Sequence, residues 1–271
     1  MAPQDPGVLL ARLEAEILEL RTSPAWTRYL RAQACFHRYS PRNVLLISMQ
    51  APNATSVAGF HTWRSLDRQV RKGERGISIL APLLKRDEAL DSQVVGFRWV
   101  KVFDISQTDG APLPSPVTLL EGHGPEGLLE RLELAAAALG FSLTFESLPD
   151  GVNGECRWAR SVIAIEPTND RLQQAKTLAH ELGHVLLHRQ EPDRSRAEIE
   201  AEAVAYVVLA AAGADAAPYS AGYLSSWLGA DADPTEAMAR SLDRIQRAST
   251  RVLSLLVPPE EAEGATYPVA S

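Results

Sequence analysis

Three histidines and a glutamate in the stretch TLAHELGHVLLH, residues 177–188, have the clearest chemical potential in this sequence. On an α-helix, side chains four residues apart lie on the same face, so His180 and His184 can bind one cation together. Glu181 then points to the adjacent side of the ion. In this arrangement two imidazoles hold Zn²⁺, and the carboxylate takes a proton from the water that the ion activates. The pattern predicts a zinc site with Glu181 as its general base.

The third ligand must come from outside this stretch. His188 is a poor candidate, because eight residues of helix place it about 12 Å along the axis from His180. A metzincin-type third histidine is excluded as well, since Leu187 and Gln190 occupy the positions of its glycine and histidine.

The following segment, SRAEIEAEAVAYVV, offers three glutamates as the third ligand. Ser195 and Glu198 form an S-x-x-E pattern, which predicts a capping box and gives Glu198 a structural task. Glu200 falls on the opposite face of this helix. Glu202 lies one turn further in, before an apolar run, where a buried carboxylate needs a compensating cation. We therefore expect the zinc ligands to be His180, His184 and Glu202.

Peptide hydrolysis at such a site would need two further features. The first is a hydrogen-bond donor for the oxyanion, for which Tyr219, Tyr223 and His188 are the candidates. The second is a strand edge on which an extended peptide can pair, and the strand expected around residues 160–165 precedes the motif helix.

The elements that position these residues follow from apolar periodicity and helix-start signals. Ser40-Pro41 predicts a helix start, and ISILAPLL and VVGFRWVKVFDI read as strands. A Pro- and Gly-rich stretch separates them from further helices, including the motif helix and one starting at Asp233-Pro234. The predicted fold class is α+β with two domains. We expect a mixed α/β domain at residues 1–112, a linker at 113–127, a mainly helical zinc-binding domain with a small sheet at 128–256, and a disordered tail at 257–271.

Composition and the start of the sequence indicate the class of protein and its expected location. The chain has 45% apolar and 23% charged residues, which is typical of a globular protein. Cys35 and Cys156 have no C-x-x-C partner, which argues against a disulfide framework and a cysteine-ligated zinc site. The start lacks a signal peptide pattern, and no apolar run approaches about 18 residues. We expect a cytoplasmic location and no membrane partner.

Charge is distributed unevenly along the chain. Residues 24–80 carry nine Lys or Arg and two acidic residues, a net +7 in a chain whose formal charge is −7. A basic module of this kind favours a polyanionic partner. Single-stranded nucleic acid is held by cationic grooves and aromatic faces. The candidate contacts are Arg38, Tyr39, Arg42, Asn43, Trp63, Arg68, Arg71, Lys72 and Arg75.

Both halves also resemble known families. The motif stretch followed by EAEAVAYVV resembles ImmA/IrrE-type metallopeptidases, which are gluzincin-like zincins with two His and one Glu on zinc. That resemblance implies His180, His184 and Glu202 as ligands and Glu181 as general base. The blocks YSPRNVLLI, VAGFHTW, RKGERGISILAP and VFDISQT resemble the single-stranded-DNA-binding domain of ArdC-type antirestriction proteins, in which it likewise precedes a zinc peptidase domain.

These observations predict a protein that binds single-stranded DNA and carries a zinc-dependent metallopeptidase, with an antirestriction role or one in the defence of mobile elements. Its protein substrate is unknown. Two alternatives remain: a DNA-binding protein whose zinc site is structural and catalytically inactive, and an ImmA-like regulatory peptidase that cleaves a repressor.

Overall fold

The computed structural model describes residues 6–20, 23–86, 92–111, 124–214 and 233–257. Most of the predicted linker, nearly all of the predicted tail, and both Tyr219 and Tyr223 lie outside these ranges. None of the helices within them combines the length and apolarity that a membrane span requires.

The first part of the chain combines helices with two small sheets. Ser40 precedes a helix that begins at Pro41, as its sequence predicts. The elements in chain order are α1 (Pro6–Glu19), α2 (Ser23–Cys35), α3 (Pro41–Gln50), β1 (Val57–Gly59), α4 (Phe60–Ser65), β2 (Arg68–Val70), β3 (Ile77–Arg86), β4 (Ser92–Asp104) and β5 (Thr108–Gly110). Strands β1, β4 and β3 form one antiparallel sheet in that order, and β2 pairs with β5.

The outer edge of β3 is covered by two amide side chains of α3. Asn43 accepts from the backbone N–H of Leu80 (2.9 Å) and donates to its carbonyl (2.8 Å). Gln50 makes the same pair of hydrogen bonds with Ser78, at 3.0 and 2.9 Å. Seven residues are about two helical turns, so both amides lie on the face of α3 that meets the strand. They occupy backbone groups that would otherwise be unpaired at a sheet edge.

Within the described residues, the second part combines a three-stranded sheet with four helices, two of which pack on the strands. Its elements are α5 (Gly124–Ala138), β6 (Ser142–Phe145), β7 (Gly154–Arg157), β8 (Val162–Ile165), α6 (Arg171–Leu187), α7 (Arg194–Ala211) and α8 (Pro234–Leu256). The strand order is β6, β8, β7, with β8 parallel to β6 and antiparallel to β7. The prediction that the strand around residues 160–165 is the peptide-binding edge is therefore wrong. This strand is β8, which is paired on both sides, and β7 lies at the edge of the three strands.

The two parts share one hydrophobic core. Helix α2 packs on α7, and α1 and α3 pack on α8. Buried residues such as Leu13, Leu30 and Ile245 belong to one continuous cluster. Polar contacts join the same surfaces, because the carbonyl of His37 accepts hydrogen bonds from Gln246 (2.9 Å) and Thr250 (2.6 Å) on α8. The α+β class predicted from the sequence is confirmed.

Candidate metal centre and nucleic-acid interface

Helix α6 brings His180 and His184 together, as their spacing predicts. Asp170 caps its first turn by accepting from the N–H of Gln173, so the helix runs without interruption through the motif. The two Nε2 atoms are 3.0 Å apart, and both side chains are mostly buried. The imidazoles therefore converge on a single point above one face of the helix.

Glu198 on α7 completes this cluster. Its carboxylate oxygens lie 3.3 Å from Nε2 of His180 and 3.5 Å from Nε2 of His184. In the described part of the chain, His180, His184 and Glu198 form a group whose ligand atoms all lie within 4.8 Å of one another. Ligands about 2 Å from a tetrahedral ion are roughly 3.3 Å from each other. The donor set and its spacing thus fit one small divalent cation.

This placement corrects two expectations about α7. Helix α7 begins at Arg194, because Asp193 caps it by accepting from the N–H of Arg196 at 3.1 Å. Ser195 is then inside the helix, and no capping box holds Glu198. Because the N-cap of α7 is Asp193 and not Ser195, the side chain of Glu198 is not used in capping and faces the imidazoles.

Glu202 lies beside His180 but on the other side of its ring. One carboxylate oxygen of Glu202 is 3.3 Å from Nδ1 of His180, and the other is 2.8 Å from Nζ of Lys176. The sequence-based choice of Glu202 as the third ligand is therefore not what the geometry favours. Glu202 instead orients the imidazole from behind, which is a common second role of carboxylates at metal sites.

A second chain of contacts supports His184. Its Nδ1 is 3.0 Å from Nδ1 of His188, the residue that ends α6. Nε2 of His188 is 3.0 Å from Oε2 of Glu200, which also lies 3.1 Å from Nε of Arg244 on α8. Glu200 is fully buried. Both ring nitrogens of His188 are thus engaged, so its expected candidacy as an oxyanion donor does not fit this structure.

With a cation on both Nε2 atoms, the two chains of contacts would favour one set of tautomers. A ring nitrogen that binds a cation carries no proton, so the proton must be on Nδ1 of both His180 and His184. Nδ1–H of His180 then donates to Glu202, and Nδ1–H of His184 donates to Nδ1 of His188. His188 in turn carries its proton on Nε2 and donates to Glu200. The three hydrogen bonds outside the cluster, those of Glu202, His188 and Glu200, then each have one donor and one acceptor.

Glu181 is buried beside the cluster, against the start of β7. A Cβ at Gly154 would be 3.2 Å from Oε1 of Glu181 and 2.4 Å from Cγ2 of Thr177, so only glycine lets β7 lie this close to α6. Burial raises the pKa of Glu181, and the neighbouring imidazoles offset part of that rise. The sequence gives no direct signal for Gly154, because the contact joins residues far apart in the chain.

The charges of the cluster are strongly coupled. Burial lowers the pKa of His180, but hydrogen bonds with Glu198 and Glu202 outweigh it and raise the pKa to about 9. Hydrogen bonds with both imidazoles hold the pKa of Glu198 far below its usual value. Burial raises the pKa of Glu202, but His180 and Lys176 outweigh it and lower the pKa to about 2. Without a cation, a proton on the imidazole of His180 offsets part of the negative charge of Glu198 and Glu202.

Comparison with known proteins assigns both halves. The family model of the N-terminal domain of anti-restriction factor ArdC matches residues 9–103. The peptidase M78 model, an IrrE N-terminal-like domain, matches residues 136–218. Residues 9–103 thus match the ArdC N-terminal domain, and residues 136–218 match the IrrE-like domain. The two resemblances seen in the sequence are thereby confirmed.

Solved structures agree with this architecture of an ArdC N-terminal domain and an IrrE-like domain. The metal-free crystal structure of antirestriction ArdC protein from the R388 plasmid has a TM-score of 0.51 and 22% identity, and covers 80% of this chain and 85% of that one. Its Mn(II)-bound structure has a TM-score of 0.50 and 23% identity, and covers 82% and 90%. These likenesses show the fold. An uncharacterized protein of Bacillus anthracis is 26% identical, and the match covers 72% of this chain and 41% of that protein.

In the ArdC N-terminal domain, three of the predicted DNA contacts are buried structural residues. Tyr39 donates its hydroxyl to the carbonyl of Val57 (2.8 Å), and the indole of Trp63 donates to the carbonyl of Phe103 (2.8 Å). Asn43 covers the edge of β3, as described above. These side chains point into the domain, so the aromatic faces expected to stack on bases are not Tyr39 and Trp63.

The basic candidates of the ArdC N-terminal domain lie nearer the surface. Arg68 donates to Thr108 (2.8 Å), and Arg71 forms ion pairs with Glu74 (2.8 Å) and Asp109 (3.4 Å), which ties β2 to β5. The remaining candidates are exposed: Arg38, Arg42, Lys72 and Arg75. The basic candidates therefore form an exposed surface, whereas the predicted stacking aromatics are buried.

Proposed function

We propose that this chain is an ArdC-like antirestriction protein that binds single-stranded DNA and carries a metal-dependent peptidase in its IrrE-like domain. The observation that carries the peptidase proposal is the convergence of His180, His184 and Glu198 on one point, with Glu181 buried beside them. A purely structural metal site has no need of a buried, unligated carboxylate at that position.

His180, His184 and Glu198 would hold the cation through Nε2, Nε2 and a carboxylate oxygen. Two imidazoles and one carboxylate suit Zn²⁺ and leave a fourth position open. When bound, such an ion polarises a peptide carbonyl and acidifies a water molecule. With a cation bound, Glu202 and His188 would accept the Nδ1 protons of His180 and His184, which leaves both Nε2 lone pairs for the cation.

Glu181 is the proposed general base. Its raised pKa makes the carboxylate a better proton acceptor than an exposed glutamate. It would take a proton from the attacking water and later return it to the leaving amine. Strand β7 starts next to Glu181 and has β8 on one side, so its other edge offers backbone groups to an extended peptide.

The DNA-binding proposal is supported by the ArdC match and by charge. Residues 24–80 have a net charge of +7, and they lie within the matched N-terminal domain. Binding of a single strand by such a surface should weaken steeply as salt is added, because phosphate contacts release counterions.

Replacing Glu181 with Gln tests the peptidase proposal. Glu181→Gln should retain bound metal in elemental analysis and lose cleavage of any protein that the wild type cleaves. Glu133→Gln, an exposed substitution on α5, is the matched control and should change neither quantity. A wild type that binds metal but cleaves none of a panel of nucleases, DNA-binding proteins and repressors would instead support a structural metal site.

DNA binding is tested separately by fluorescence anisotropy with a labelled oligothymidylate and the corresponding duplex. The expected result is tighter binding of the single strand and a linear fall of log affinity with log salt. Weak, salt-insensitive binding that is equal for both forms would refute this part of the proposal.

A further inference from the structure

The β3–β4 hairpin has two different faces. In its regular part, side chains alternate between the faces, and directly opposed residues share a face. Ile77, Ile79 and Val102 point into the core and are at most 4% exposed. The other face carries three cross-strand pairs: Ser78 with Lys101, Leu80 with Trp99, and Pro82 with Phe97.

This second face presents aromatic groups to solvent. Phe97 is 62% exposed, more than any other aromatic side chain in the part of the chain that the structure describes. Its opposed partner Pro82 is exposed, while the adjacent pair of Leu80 and Trp99 is half-buried and packs against the hydrophobic core. The phenylalanine ring of Phe97 is therefore not needed to fill the core, and most of its surface is accessible to a ligand.

A cationic path leads to these rings. Lys101 lies on the same face as Trp99 and Phe97 and is exposed. Its Nζ contacts the hydroxyl of Ser78 (2.5 Å) and the carbonyl of Gly76 (3.4 Å), and both acceptors are neutral. Gly76 directly follows the turn that holds Lys72 and Arg75, and a Cβ at Gly76 would be only 2.9 Å from Cβ of Lys101. The basic turn and the aromatic face are thus adjoining surfaces.

We propose that this face of the β3–β4 hairpin is the platform on which bases of a single strand stack, with Lys101 and the turn at residues 71–76 contacting its phosphates. Charged side chains that follow the backbone, next to aromatic faces that receive bases, are what sequence-tolerant binding of single strands requires. The proposal rests on the proposed DNA binding and names its surface. It places stacking on Phe97 and Trp99.

The test compares two substitutions by anisotropy with a labelled oligothymidylate at several salt concentrations. Phe97→Ala should weaken binding about 5- to 150-fold with an unchanged salt slope, because a stacking contact is lost and no charge is. Lys101→Gln should reduce the magnitude of the salt slope by about 0.7, the value of one phosphate contact on a single strand. Phe145→Ala, the same substitution at an exposed phenylalanine in the IrrE-like domain, is the control.

The outcomes separate the surface from the function. If wild type binds DNA and Phe97→Ala binds equally well, the platform is refuted while DNA binding stands. If wild type fails to bind, the proposed DNA function fails and the platform with it. If Phe97→Ala dissociates a wild-type dimer in sedimentation but keeps its DNA affinity, the face joins two copies of this chain and the proposal is overturned. An unchanged thermal midpoint of Phe97→Ala excludes misfolding as the cause.

Discussion

Glu198 and Glu202 contact opposite sides of the same imidazole, and this sets what each contributes. Glu198 faces Nε2 of His180 and Nε2 of His184, where a cation would be held. Glu202 faces Nδ1 of His180, where it can only accept the proton of the ring. One carboxylate is thus a proposed ligand and the other a support.

Removing these carboxylates one at a time should give different losses of metal affinity. Glu202→Ala should weaken zinc binding about 10- to 100-fold, as is usual when an outer partner of a ligating histidine is lost. Glu198→Ala should weaken it more, because a direct ligand is lost. Competition with a chromophoric chelator measures both. A larger loss in Glu202→Ala than in Glu198→Ala would restore Glu202 as the ligand.

His188 offers a test of positioning by hydrogen bonds. His188→Gln can still accept from Nδ1–H of His184 and donate to Glu200, so it should keep most of the zinc affinity. His188→Leu has a similar volume but can do neither, and it leaves the buried carboxylate of Glu200 with Arg244 and without its hydrogen bond from His188. We expect zinc affinity to fall about 10- to 100-fold in the Leu variant. Equal affinities in the two variants would show that His188 acts only by packing.

The start of α7 decides which of its glutamates faces the imidazoles. The spacing of His180, Glu181 and His184 predicts their convergence, because a helix fixes which residues share a face. Asp193 precedes the predicted N-cap by two residues, and its use shifts the role of Glu198 from capping to the metal cluster. The support from Arg244 on α8 has no local signal, because that contact forms only after the helices pack.

At the scale of elements, β7 and α6 approach each other so closely that only glycine fits at their crossing. Gly154→Ala should destabilise the protein by about 1–3 kcal/mol, since the new methyl would lie 2.4 Å from Cγ2 of Thr177. Thr177→Ser removes that methyl group and should restore part of the stability when the two changes are combined. Urea unfolding of the four proteins gives the coupling free energy. Additive effects would show that the contact is not the cause.

The order of strands could be predicted only in part. Residues of β6 and β8 read as strands because they are rich in β-branched and aromatic residues. Nothing local says that β7 adds to the far side of β8, since strand pairing depends on contacts between distant segments. Position in the sequence predicts the strand around residues 160–165 as the peptide-binding edge, and the pairing of β8 on both sides makes that prediction wrong.

At the scale of the whole molecule, the basic and acidic halves pack as one body in the described residues. Helix α8 contacts the N-terminal helices through its apolar face, and its Arg244 contacts Glu200, which supports His184 through His188. Charge asymmetry and the Pro- and Gly-rich stretch predict two domains, but they carry no information on how the domains pack. The shared core depends on apolar surfaces that match only in the folded chain.

A shared core predicts cooperative unfolding. We expect a single calorimetric transition for the metal-free protein, with equal calorimetric and van't Hoff enthalpies, because α1–α3 cannot leave without exposing apolar surface of α7 and α8. Differential scanning calorimetry measures both enthalpies. Two resolved transitions would show that the halves unfold independently, as the sequence alone suggests.

The outer edge of β3 is protected against pairing with a further strand. Gln50 and Asn43 occupy the backbone groups of Ser78 and Leu80, and the next outward position is Pro82, which has no N–H to offer. An incoming strand would find no ladder to extend over these three positions. The outer edge of β3 can therefore border an exposed aromatic face without offering these positions to the strand-by-strand growth that leads to fibrils.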